Sequence, residues 1–318
     1  MIMKCSSRQP PRKIKTALIT GPTGAVGLAL CWRLAEADMD VYAVCRPDSP
    51  RRNIVPVRGN VHLIPCDMAG YSSLPEQIGT SIDAFFHLAW VGTAGKSRNN
   101  MMLQSTNIRG TIAAVRAASE LGCQVFLGAG SQAEYGRVEG ALKPDTPCNP
   151  ENGYGMAKLC AGQMSRLECQ RLGMAHIWMR ILSVYGPGDG AGSMIMSTIR
   201  NLLARQRPSL TAGAQVWDYL YAADAAEALY RAALYGHDGA IYPLGSGTAM
   251  PLRNYVEMLR DAIDPALPLG FGEMPYSPTQ VMHLQADISE LTEHTGFVPA
   301  VKFFSGIRET VNWVKANG

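Results

Sequence analysis

Two short stretches carry side chains that could do chemistry. In "YGMAK", Tyr154 and Lys158 set a phenol and an ammonium four residues apart, so on a helix they share a face. An ammonium beside a phenol favours the phenolate, and such a tyrosine can exchange a proton with an alcohol or a ketone. In "GAGSQAEYG" (128–136), Ser131, Glu134 and Tyr135 are each capable of catalysis.

A proton exchanger of this kind needs a hydride carrier, and the start of the chain offers a place for one. In "TGPTGAVG" (20–27), Gly21, Gly24 and Gly27 lie between an apolar strand pattern and a helical one. Glycines there allow a tight turn and let a pyrophosphate approach the helix N-terminus, where free N–H groups and the dipole favour anions. The spacing is G-x-x-G-x-x-G, not G-x-G-x-x-G. With Thr23, Ala25 and Val26 these residues form a candidate dinucleotide loop.

The end of the second strand bears on which dinucleotide. NAD sites often carry an acid there for the ribose 2′-hydroxyl. This chain reads "VYAVCRPDSPRR", with Arg46 in that place. A guanidinium suits a 2′-phosphate, so NADP(H) is the expected cofactor and NAD(H) the second choice. The competing reading of Arg46 is a solvated surface arginine. Asp67, closing "HLIPCD", either meets the adenine edge or caps the next turn. Met68, Leu88 and Ala89 complete the expected cofactor set. Trp90, after "HLA", either lines the nicotinamide pocket or packs.

The elements that must position these groups are legible as patterns. Apolar runs at 14–20, 41–45, 61–66, 82–89, 123–130 and 175–186 alternate with helical patterns at 25–38, 99–121 and 152–173. This alternation predicts an α/β fold with a doubly wound parallel sheet of the Rossmann type. After Gly186 comes a glycine-rich loop, a helix over 193–205 and Pro-rich breaks. They predict a smaller, mainly helical substrate lobe. The expected division is 1–186 plus about 216–248 for the dinucleotide domain. The lobe takes 187–215 plus about 249–318.

Composition narrows the class. At 318 residues the chain can bury a large core. A net charge of +3 without a long basic run offers no case for nucleic acid or an anionic membrane. No run of 18 apolar residues reads as a membrane span. "MIMKCSSRQPPRKIK" reads as a disordered leader, not a secretory signal. The eight cysteines form no C-x-x-C pair and read as buried reduced thiols, which fits a cytoplasmic protein. The six histidines lack metal-ligand spacing, so no metal is expected, and His87 reads as a structural histidine.

The chain resembles the extended short-chain dehydrogenase/reductases, the nucleotide-sugar epimerases, dehydratases and reductases. The stretches that carry the resemblance are "TGPTGAVG", "FHLAW", "NIRGT", "GAGSQAEYG", "YGMAK", "RILSVYGPGD", "WDYLYAADAAEAL" and "ADISELTEHTGFVPAVKFFSGIRETVNWV". They span nearly the whole chain, in order. The resemblance implies Tyr154 as general acid/base, Lys158 on the nicotinamide ribose and Ser131 as hydrogen-bond donor to the reacting oxygen. It also implies a nucleotide-sugar substrate and a homodimer built through the two long helices.

Family members that eliminate water typically carry Asp-Glu after the Ser/Thr, or a Glu two positions on. Here Gln132 and Ala133 follow Ser131, and Glu134 comes one residue late. Along an extended chain Ser131 and Glu134 would point opposite ways, which makes Glu134 a structural or surface acid and disfavours dehydration. The expected activity is then an NADP(H)-dependent 4-ketoreductase. A nucleotide-sugar 4-epimerase is the alternative, followed by a small-carbonyl reductase or a non-catalytic NADP-binding protein. Tyr135, Ser183, Gln215 and Trp217 join Trp90 as candidate substrate contacts. Ser183 and Trp217 stand where the family commonly has Asn and Arg. Arg200, Arg205, Arg207 or Arg253 could supply charge in their place.

Overall fold

The computed structural model describes residues 9–56 and 58–317. Its centre is a seven-stranded parallel sheet. Six strands follow in chain order: β1 (Thr16–Thr20), β2 (Asp40–Cys45), β3 (Val61–Pro65), β4 (Ala84–His87), β5 (Val125–Ser131) and β6 (Ala175–Ile181). Ile241–Leu244 forms the far edge, and the spatial order is edge strand, β6, β5, β4, β1, β2, β3. β1 therefore pairs with β2 on one side and β4 on the other. The chain order reverses between β1 and β4, and in such sheets the crevice at that switch point takes the ligand.

Helices cover both faces. α1 (Ala25–Glu36) packs beside α6 (Ala222–Tyr235), and together they bury Leu30, Leu34, Leu229 and Ala232 against Ile19, Phe86 and Leu127. On the other face lie α2 (Leu74–Ile78), α3 (Met101–Glu120) and α4 (Gly153–Leu172), closing over Leu18, Phe85 and Phe126. Strands buried on both faces explain why they read as continuous apolar runs. A second, smaller core is mainly helical: α5 (Met194–Leu203), α7 (Leu252–Asp261) and α9 (Phe303–Asn317) pack around Tyr185, Ile199, Leu259 and Ile307. The short helix α8 (Ser289–Thr295) returns to the first core through Leu291.

Three sequence expectations change. The apolar run 175–186 is two strands: it breaks at Leu182, and Ser183–Tyr185 leaves the main sheet to pair with Tyr219–Tyr221. The leader falls partly outside the described residues, but Gln9 and Arg12 are fixed. Their side chains donate to Gly236 and Ala233 carbonyls at 2.6 and 3.0 Å. Of the seven described cysteines, Cys148 and Cys160 are half-buried, not buried, and none is disulfide-bonded; Cys5 lies outside the described residues. Among the described residues no helix is long and apolar enough to cross a membrane.

One carboxylate ties the two cores together. Asp218 is fully buried and accepts from Ser246 N, Ser246 Oγ, Gly247 N and Ala286 N at 2.7, 2.6, 3.1 and 3.1 Å. Asp218→Ala leaves the Ser246, Gly247 and Ala286 N–H groups without this acceptor, while Ser246 Oγ keeps the Thr248 carbonyl, so it should cost about 3 kcal/mol of unfolding free energy, read from denaturant melts.

Candidate active site

The site forms at the carboxyl ends of the strands. After β1 the chain turns at Gly21, whose φ of 75° favours glycine. A Cβ there would also lie 2.8 Å from Ala89 N. Ala89 and Leu88 thus form the wall behind the loop. Gly24 needs no special backbone: its φ is −82°. Its role is openness, since no atom lies closer than 3.9 Å to where its Cβ would be. It caps α1 without a side-chain hydrogen bond, which leaves the helix start free for an anion. Gly27 packs the helix against Gly21 and Pro22. The adjoining cavity, about 310 Å³, is lined by Gly21, Thr23, Val44, Arg46, Met68, Ala89 and Trp90, among others. These features fit a dinucleotide. Asp67 is exposed and accepts from Gly70 N at 3.0 Å, so it caps the next turn.

Tyr154 and Lys158 lie on the first turns of α4, which Asn152 caps by accepting from Gly155 N at 2.9 Å. Gly155 lets the helix sit directly on the Ala133 carbonyl. This brings Tyr154 to Ser131, at the end of β5. Trp90 meets the Tyr154 ring edge-on, with centroids 6.0 Å apart. The Lys158 ammonium is nearly buried, 2.5 Å from the Ala129 carbonyl that it donates to and 3.8 Å above the Trp90 ring. Burial pulls its pKa down to about 7, the Glu134 carboxylate opposing. Burial also raises the Tyr154 phenol above its ordinary range, while the Ser131 hydrogen bond and the Arg98 charge pull it back.

Glu134 corrects the expectation of an extended chain. Gln132–Glu134 is a single 3-10 turn, and the Glu134 carboxylate comes back to accept from Ser131 N at 2.8 Å. It is fully buried, not a surface acid, and pairs with Arg180 at 2.7 Å while accepting from Trp178 Nε1 at 3.0 Å. Tyr135 is also in the core rather than in the site: fully buried, it donates to the Lys143 carbonyl at 2.9 Å beneath the Arg180 guanidinium. His87 is a buried structural histidine, held between the Thr20 and Thr111 hydroxyls at 2.9 and 3.2 Å. Among the described residues no cluster of His, Cys, Asp or Glu could hold a metal.

A second cavity, about 400 Å³, opens in the smaller lobe. Gln215 and Trp217 line it with Asn201, Thr211, Tyr219 and Phe271, and no Lys or Arg does. Trp217 Nε1 donates to Ser183 Oγ at 2.8 Å, so the two residues standing at the family's Asn and Arg positions satisfy each other. Arg205 and Arg207 are turned to Asp264 and Glu273, and Arg253 stacks on Phe271. Sequence reasoning missed the residues that hold the loop after β4. Gln104 accepts from Trp90 Nε1 at 2.9 Å and donates to the Gly92 carbonyl at 2.9 Å. Asn107 exchanges two 2.9 Å bonds with the Val91 backbone. It also missed Arg98, whose guanidinium lies 4.4 Å above the Tyr154 ring.

Lys158 makes stability depend on pH. Its folded pKa lies below the unfolded value of about 10.4. Between these values the unfolded chain binds the extra proton, so this group makes stability rise with pH. Lys158→Met should flatten that rise between pH 7 and 10 in melting experiments. Glu134→Ala strands the Arg180 charge and should cost about 3–5 kcal/mol, read from the same melts.

Comparison with known proteins places this geometry. A sequence profile described as the NAD dependent epimerase/dehydratase family matches residues 17–245. A dTDP-glucose 4,6-dehydratase of Streptomyces niveus is 26% identical over 275 residues, 85% of this chain and 79% of that one. The UDP-N-acetylglucosamine 4-epimerase of Methanobrevibacter ruminantium M1, solved with UDP-N-acetylmuramic acid, superposes with a TM-score of 0.87. It is 22% identical, over 96% of this chain and 100% of that one. The UDP-glucuronic acid 4-epimerase of Bacillus cereus, solved with UDP-glucuronic acid and NAD, gives a TM-score of 0.84 at 20% identity, over 95% and 100%. That structure holds NAD, as do other solved neighbours of this fold. This overturns the expected NADP(H) preference. Arg46 agrees with the correction: more than half exposed, its guanidinium faces Asp48 at 3.9 Å. This chain belongs to the NAD-dependent epimerase/dehydratase family and is an enzyme of that family.

Proposed function

We propose that the chain is an NAD-dependent 4-epimerase of a nucleotide-linked sugar. The observation that carries this reading is the meeting of Ser131, Tyr154 and Lys158 beside the glycine loop, with Glu134 fully committed to Arg180, Trp178 and the Ser131 backbone. An elimination of water needs a further acid and base at the sugar. The side chains following Ser131 are an amide and a methyl, so this stretch offers proton exchange at one oxygen only.

Within this reading Gly21, Thr23, Gly24, Ala25, Val26 and Met68 would hold NAD, the free N–H groups at the start of α1 suiting its pyrophosphate. When bound, the nicotinamide accepts and returns hydride at the sugar carbon. Tyr154 takes the proton of the sugar hydroxyl and gives it back after the ring has turned over. Ser131 donates to the same oxygen and holds it in line. Lys158 leaves the Ala129 carbonyl to meet the nicotinamide ribose. Trp90 closes the site from the β4 side. The nucleotide end extends towards the Gln215 and Trp217 cavity of the smaller lobe, with 187–215 and about 249–318 as the substrate-binding part. The apolar stripe Met156, Cys160, Met164 and Leu167 on α4 supports a homodimer, since Met164 and Leu167 are 47% and 59% exposed.

Denatured protein analysed by mass should release NAD. UDP- or dTDP-hexose 4-epimers should interconvert without net NADH or NADPH use. Tyr154→Phe should lower kcat by about 10²–10⁴ while retaining NAD. Net loss of water from the sugar, or stoichiometric NADH consumption, would overturn the reading. Leu167→Asp should convert a dimer into a monomer in light scattering.

A further inference from the structure

We infer that Tyr276 is a positioning residue that fixes Gln215 as a hydrogen-bond donor to an acceptor oxygen of the nucleotide. The inference rests on the reading of the smaller-lobe cavity as the place of the nucleotide end. It adds the polarity of one contact and the residue that imposes it. Ala214 N donates to the Tyr276 hydroxyl at 2.8 Å, and that hydroxyl lies 3.0 Å from Gln215 Oε1. A backbone N–H can only donate, so it takes a lone pair of the phenol oxygen. The phenol hydrogen then has one acceptor among the described residues, Gln215 Oε1. The amide is thereby held with its oxygen on Tyr276 and its NH₂ turned away. Gln215 Nε2 makes no hydrogen bond among the described residues.

The backbone on both sides of this contact is held. Gln215 is 4% exposed and lines the cavity of about 400 Å³. Its carbonyl accepts from Leu252 N at 2.8 Å, at the start of α7. Tyr276 reaches it from the stretch after Phe271. Met274 N ties that stretch to the Leu210 carbonyl at 3.1 Å, and the Met282 carbonyl accepts from Val216 N at 2.9 Å. The other donors on the cavity wall are spent or free to turn. The Ser197 and Ser209 hydroxyls donate to the Met194 carbonyl and to Glu273 at 3.1 and 2.8 Å. Gln280 Nε2 donates to the Val281 carbonyl at 3.0 Å. Asn201 and Thr211 are half-buried, and among the described residues no side-chain bond sets their direction. No Lys or Arg lines the cavity, so Gln215 Nε2 is the donor whose direction is imposed. A buried N–H left unmatched is costly. A nucleotide offers two kinds of oxygen that match it, a carbonyl of the base and an oxygen of the phosphates.

The test reads binding and needs no turnover. Full-length protein at matched NAD content is titrated calorimetrically with UDP, dTDP, CDP and uridine. Gln215→Leu should weaken UDP about tenfold, and Tyr276→Phe, which keeps the ring, about three- to tenfold. In the double variant the loss should equal that of Gln215→Leu alone, because Tyr276 acts only through the amide. Gln215→Glu keeps the shape and the bond from Tyr276 but puts an acceptor where the NH₂ was, and should weaken UDP at least as much as Gln215→Leu. Uridine locates the oxygen. An equal loss for uridine places it on the nucleoside, an unchanged uridine places it on a phosphate, and both agree with the inference. Unchanged UDP binding in Gln215→Leu and Gln215→Glu, or losses that multiply in the double variant as for a packing role of Tyr276, would overturn the inference and leave the functional reading standing. Wild-type protein that binds none of UDP, dTDP and CDP overturns the functional reading, and the inference with it.

Discussion

The buried pair of Glu134 and Arg180 fixes the end of β5, and the rest of the site is built from that end. Their side chains are 1% and 4% exposed, 2.7 Å apart. Removing two charges from water is costly unless geometry is good and the remaining lone pairs are used. Here they are: Trp178 Nε1 and the Ser131 backbone donate to the same carboxylate. The reciprocal bond from Ala133 N to Ser131 Oγ, at 3.2 Å, closes a capping box around one turn. That turn sets where the Ala133 carbonyl lies, Gly155 rests on the carbonyl, and α4 starts from there with Tyr154 on its first turn. A buried charge pair thereby determines where the Tyr154 phenol stands.

The two ends of the site were unequally legible in the sequence. The strand–glycine–helix turn at 20–27 and the spacing of Tyr154 and Lys158 are local patterns, and local geometry carries them into the fold intact. The parallel sheet was legible because its central strands β1, β4 and β5 are buried on both faces and read as apolar runs. The break at Leu182 was not, since Ser183–Tyr185 continues the same apolar run and only its pairing partner changes. Glu134 is the structural acid of the two readings offered, but the direction of its side chain was not legible, for a related reason. Alternation assumes an extended chain, and a 3-10 turn inside an otherwise extended stretch leaves no composition signal when its residues are Gln, Ala and Glu. Arg98, Gln104 and Asn107 act through long-range contacts with a loop, which spacing along the chain cannot reveal. Arg46 was over-read because a charge after the second strand was assigned a ligand, when an exposed guanidinium beside Asp48 was the alternative.

The two cavities differ in chemistry. The one at the glycine loop presents an uncapped helix start that suits an anion, with Arg46 on its lining. The one in the smaller lobe is lined by amides, hydroxyls, aromatic rings and the apolar side chains of Met194, Leu210, Leu252 and Val256, and Trp217 bonds to Ser183 where the family commonly carries a cation and an amide.

The glycines of "GAGSQAEYG" have a role that the dinucleotide loop does not share. A Cβ at Gly128, Gly130 or Gly162 would run into the Trp178 indole. Three gaps on two elements are filled by one ring, and that ring hydrogen-bonds Glu134. These four positions therefore form a single steric unit: a smaller residue at 178 opens three voids together, and a larger one at any gap meets the indole. The tolerance of each position is thereby set by the others: a side chain larger than glycine at 128, 130 or 162 fits only where the ring at 178 gives way.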